Sequence, residues 1–130
     1  MKNNRDNIYT SEVGELYTEY SFSAEFDISI IISVKSYGFS GGHEFCINKE
    51  VTRERIKELE NMHFSLLGEC TMNDSDSDSD SYIKLSFIGN ELTVSGQLGG
   101  SYNSNFIKFS FTADQTLLKL LSDTLKGYVS

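Results

Sequence analysis

No apolar run in this chain approaches the roughly 18 residues that a membrane-spanning helix requires. The opening stretch, MKNNRDNIYTSE, has no apolar segment of the kind that makes a secretory leader, and this absence favours the cytoplasm. Proline is missing altogether, which by itself excludes little. Cysteine is scarce. Cys46 and Cys70 are too few for a disulfide framework, so both are expected to be free thiols. Positive charge is also short: 11 Lys and Arg stand against 19 Asp and Glu, a net charge of −8. Such a balance argues against direct contact with nucleic acid, which demands a basic footprint. It suits a basic partner, or plain solubility. Cofactor fingerprints and paired catalytic groups are lacking too.

What the chain does have is one strongly patterned stretch, FDISIIISVK, from Phe26 to Lys35. Phe26, Ile28, Ile30, Ile32 and Val34 share one parity; Asp27, Ser29, Ser33 and Lys35 share the other, with Ile31 as the exception. Period two and branched side chains predict a β-strand with one buried face. Burying all five would contribute roughly 8–15 kcal/mol as an upper bound.

Other segments fit around this strand. Residues 1–13 are polar and aperiodic and are expected to be a flexible terminal segment, with a single domain over 14–130. A strand is predicted over Gly14–Ser23, a glycine loop over 37–42, and a short strand at Phe45 and Ile47. A helix should run from about Lys49 to Leu66, its stripe being Ile56, Leu59, Met62, His63 and Leu66, with Gly68 as its left-handed stop. Leu67–Met72 reads as a strand, and DSDSDSD within 73–81 as an exposed acidic loop. Gly89–Asn90 predicts a tight hairpin that sets Phe87 against Leu92 and Leu85 against Val94. Leu98–Asn105 is a Gly/Ser/Asn loop. Phe106–Phe111 alternates, and a second helix follows from Thr112, with Gln115 completing a capping box and Leu117, Leu118, Leu121 and Leu125 as its buried stripe. Without βαβ alternation the expected fold is α+β: two layers, with a mostly antiparallel sheet of five to six strands carrying two helices on one face. The opposite face, with Asp27, Lys35, Lys84, Thr93, Gln97, Lys108, Tyr82 and Phe106, is expected to stay open.

Chemical motifs are weak. His43–Glu44–Phe45–Cys46 matches neither HExxH nor paired CxxC spacing. Read as a calcium loop, DSDSDSD fails in both registers, with serine where glycine belongs and Leu85 or Phe87 where the chelating glutamate belongs. GFSGG lacks the lysine of a phosphate-binding loop. No catalytic residues, metal ligands or cofactors are assigned; the chain reads as a binding protein and not as an enzyme. From Glu58 to Asp80 seven carboxylates occur with no Lys or Arg between Lys57 and Lys84, so one edge should carry negative potential able to steer a basic partner.

The segments YGFSGGHEF, TRERIKELENMHFSLLGEC, YIKLSFIGNELTVSGQLGG and FIKFSFTADQTLLKLLSDTL, in this order across about residues 25–126, resemble the WapI-type immunity proteins of bacterial polymorphic toxin systems. The acidic run at 74–80 looks particular to this chain. The resemblance implies a small cytoplasmic protein that binds and neutralises a cognate toxin domain, often a nuclease acting on RNA. A basic toxin domain is then the expected partner, with no nucleic acid or membrane contact, the protein itself being a monomer or weak homodimer. Glu69, Asp74, Asp76, Asp78 and Asp80 are the candidate charged contacts, and Tyr37, Phe39, Tyr82, Tyr102 and Phe106 the aromatic ones. The alternative is a module that holds a small ligand, sugar or cation on an open sheet face.

Overall fold

In the computed structural model, which describes residues 5–76, 78–100 and 105–130, the patterned stretch is strand β3, Asp27–Ser36. Ile28, Ile30, Ile32 and Val34 are buried. Phe26 is not: it precedes the strand, is 66% exposed, and its carbonyl accepts the Lys49 N–H at 2.8 Å. Four side chains are therefore buried, not five, which lowers the upper bound to roughly 6–12 kcal/mol.

β3 lies inside a four-stranded antiparallel sheet ordered β1–β2–β3–β4, with β1 at Arg5–Thr10, β2 at Glu15–Ser23 and β4 at Phe39–Asn48. Helix α1, Lys49–Ser65, leads into a second such sheet, β5–β6–β7–β8, at Glu69–Asn73, Tyr82–Ile88, Glu91–Gly99 and Phe106–Ala113; helix α2, Thr116–Val129, ends the chain. Each half is thus a four-strand meander followed by a helix. The α+β class is as expected, but two four-stranded sheets replace one sheet of five to six strands. Their inner faces and both helices share one core, in which Phe45, Leu59, Leu85 and Leu117 are fully buried. α1 packs on α2, β4 and β5, and α2 also on β1.

Several local expectations need correction. The N-terminal segment is not loose over 5–10, because Ile8 is 1% exposed and anchors β1 in the core. The supposed loop 37–42 is a two-residue turn. Tyr37 and Gly38 have φ of 51° and 85°, the two positive values of a type I′ hairpin. Gly41 and Gly42 then pair with Val34 and Ser33 inside the sheet. Their small size answers crowding, since a methyl added at Gly41 would lie 2.7 Å from Ile107 Cγ2.

α1 ends with Leu66 itself in the left-handed conformation, φ 58°, so Leu66 leaves the stripe and is exposed; His63 is exposed as well. Asn48 caps the start of α1, its side chain accepting the N–H groups of Glu50 and Val51 at 2.8 and 3.2 Å. α2 begins four residues later than predicted, because β8 continues to Ala113; Asp114, not Thr112, accepts the first free N–H, from Thr116 at 2.9 Å. It also runs through Gly127 to Val129, which lets the Tyr128 hydroxyl bond Asp6 and Thr18. The β6–β7 hairpin has the register read from the sequence, with Phe87 opposite Leu92 and Leu85 opposite Val94.

Candidate partner-binding surface

β4 is an edge strand, and its length organises the candidate residues. At about 3.3 Å per residue, His43 lies roughly 13 Å and Cys46 roughly 23 Å along the strand from Phe39. Tyr37 and Phe39 stand at its start, each 71% exposed. With Val34, Ser36 and the opening residues of β8, including Ile107 and Lys108, they line a cleft of about 330 Å³.

The acidic run is fastened farther along the same strand. Ser75 N–H and Oγ both donate to the Cys46 carbonyl, at 2.9 and 2.6 Å, and Cys46 N–H donates to Asp74 Oδ1 at 3.0 Å. His43 Nε2 lies 2.9 Å from Asp74 Oδ2 and 3.3 Å from Ser79 Oγ. Successive side chains then accept backbone N–H groups two residues on: Asp74 from Asp76, Asp76 from Asp78, and Ser79 from Ser81. These are Asx-type turns, the local bonding that Asp and Ser favour outside helices. Ser81 Oγ accepts the Gly99 N–H at 2.8 Å, tying the run to the second sheet as well.

The run is therefore built, and not all of it is exposed. The Asp74 side chain is 2% exposed. Burial works to raise its pKa, but the hydrogen bonds from Cys46, His43, Asp76 and Ser79 outweigh that and hold it below the usual carboxylate value. Asp74 is an anchor, so it drops out as a contact residue. Asp76, Asp78 and Asp80 remain exposed.

Ion pairs shrink the acidic edge further. Glu58 faces Arg55 at 3.4 Å, Glu60 pairs with Lys126, and Glu69 faces Lys84 at 3.7 Å. The gap in basic residues along the sequence is filled by cations from other elements and other turns. Among the described residues, no cation lies against Asp76, Asp78 or Asp80, and negative potential concentrates there.

Tyr82 and Phe106 sit at the same end of the second sheet as this run, Tyr82 opposite Gln97 and Phe106 opposite Gly99. Phe106 is 55% exposed and Tyr82 half-buried. Asp27, Ile31 and Lys35 belong to the other sheet, so Ile31 makes no patch with Tyr82 or Phe106; its neighbours across the strands are Glu19 and Glu44. Tyr102 lies outside the described residues. The structure brings Tyr37 and Phe39 together at the cleft, leaves Glu69 apart beside Ser86, and adds Ile107 and Lys108, which the alternation of β8 alone could not assign to a cleft.

His43 and Cys46 occupy opposite faces of β4, three residues apart, and so form no Cys–His pair. Asp74 and Ser79 approach the same nitrogen of His43, whereas a catalytic triad uses the two ring nitrogens separately. Burial pushes the Cys70 thiol up to about 12, and it donates to the Arg55 carbonyl at 3.8 Å, a structural position. Among the described residues no group of three or more metal-binding side chains converges.

Comparison with known proteins finds no matching family model, no similar curated protein and no similar solved structure.

Proposed function

We propose that this protein is an immunity protein, which binds and neutralises a cognate polymorphic toxin domain by covering it. A basic nuclease is the toxin type its charge suits best. The observation that carries this reading is the left-handed Tyr37. A non-glycine residue at φ 51° costs of order 1 kcal/mol, and a large aromatic there gains nothing from burial at 71% exposure. An exposed aromatic held at a strained tip, next to Phe39 and a cleft, has the form of an interface anchor. Asp76, Asp78 and Asp80, with no cation against them among the described residues, lie along the same edge, within the span of one interface of about 800 Å² per partner. They would speed the approach of a basic surface.

The experiment is co-expression with a candidate toxin domain, sought among the genes beside this one. Growth should be restored by the intact protein, and the two should purify as one complex. Death of cells that hold soluble protein would end the proposal.

A further inference from the structure

Two four-stranded sheets have four edges, and three of them are poorly suited to take a long added strand. The β1 edge is broken by a register shift between Asn7 and Tyr9, and α2 packs on that strand. The β4 edge is occupied at Cys46 by Asp74 and Ser75. β5 has only five residues and lies against α1. β8 differs. It pairs with β7 without a break from Phe106 to Ala113, eight residues or about 26 Å. Among the described residues, no hydrogen bond from outside the sheet reaches its backbone. Half of its N–H and C=O groups therefore face outward with no partner among the described residues.

The flanks of this edge have a chemical pattern. The cleft under Tyr37 and Phe39 runs beside Ile107 to Ser110 and offers room for an apolar side chain. Asp80 flanks Gly100 at one end of β8. Glu12, Glu91 and Asp114 gather about a hollow of some 430 Å³ at the other end. Lys108 is the one basic residue of the strand. The geometry points to β8 as an acceptor for an added β-strand from a protein partner, an extended segment with apolar residues in its middle and Lys or Arg at both ends. Backbone hydrogen bonds would supply the affinity, and the cleft and the two acidic ends the selectivity. A second copy of this chain is the wrong occupant. Paired edge to edge in either direction, two β8 strands would set acidic ends against acidic ends, on molecules of net charge −8 each.

This inference rests on the neutralisation reading only for the identity of the partner, and its test uses no toxin. The probe is a blocked peptide of about twelve residues, alternating valine and threonine with two lysines at each end. Controls carry glutamate for lysine, or two prolines in the middle. Amide hydrogen exchange is followed on the full chain at millimolar peptide. The lysine peptide should slow the outward amides of β8 tenfold or more, leave those of β7 unchanged, and bind about tenfold more weakly to Phe39→Ala and to Glu12→Lys/Glu91→Lys. Unchanged β8 amides would overturn the proposal, and so would equal protection by the glutamate or proline peptide. Protection that appears without peptide and grows with protein concentration would overturn it in favour of a second copy. Failed neutralisation alongside a protected β8 would remove the toxin and keep the edge site; the reverse result would do the opposite.

Discussion

Asp74 serves four neighbours from a site that is almost closed to water, so its removal should be felt through the neighbours. Asp74→Ala would leave the N–H groups of Cys46 and Asp76 without their acceptor, at about 1–3 kcal/mol for a buried donor. Chemical denaturation should show the midpoint fall accordingly. The pH dependence has a definite sign. Because the folded-state pKa of Asp74 is depressed, its charged form stabilises the fold above the unfolded value near 4, and that stabilisation is lost as pH falls through the folded value. Asp74→Asn should therefore show a shallower loss of stability below about pH 4 than the parent protein. Equal slopes would mean that the carboxylate does not hold the loop. Nothing in DSDSDSD distinguishes the first aspartate from the other three. The distinction comes from His43 and Cys46, some 30 residues earlier, and became legible only when β4 was placed beside the loop.

Elements whose pattern is complete within themselves were readable. β3 and α1 carry their own periodicity and lie within a residue of their predicted bounds, and the β6–β7 hairpin carries its own turn residues and has the predicted register. The β3–β4 hairpin was not, because its turn begins with tyrosine where Asn or Gly is usual, and its later glycines looked like loop breakers. The same substitution that would have made the turn legible makes a prediction. Tyr37→Asn should raise stability by about 0.5–1 kcal/mol, since Asn tolerates the left-handed region, and should weaken partner binding about tenfold or more. Thermal melts and titration calorimetry would read both. A variant that gains stability and binds as before would assign Tyr37 no part in recognition.

At the scale of the molecule, period-two alternation states which face of a strand is buried but not which sheet the strand joins. Eight strands with one apolar face each are equally compatible with one sheet beneath two helices and with two sheets around a shared core. The choice is made by α1, which carries the chain from β4 to β5 and separates the two meanders. Charge is likewise a property of the folded surface. Along the chain seven carboxylates appear unopposed; in space Glu58, Glu60 and Glu69 meet cations, and Asp74 meets His43. Replacing Asp76, Asp78 and Asp80 by Asn should thus lower the association rate with a basic partner by about tenfold at low salt and flatten its salt dependence, while leaving stability nearly unchanged. Stopped-flow binding at several ionic strengths would decide it.

The meander topology also has a kinetic meaning. Every pairing in both sheets joins strands adjacent in sequence, so each hydrogen-bonded ladder can zip from a short loop with little closure entropy. The slow, entropically demanding event is then the meeting of two preformed halves. The contacts that record it include the packing of α1 on α2 and of α2 on β1, the Tyr128 hydroxyl with Asp6 and Thr18, Tyr9 against Phe111, Gly41 against Ile107, and Cys46 against Asp74 and Ser75. In a folding experiment those pairs should mark the late side of the barrier. Until they form, the edge of β4 that the acidic run later seals is open to the wrong strand.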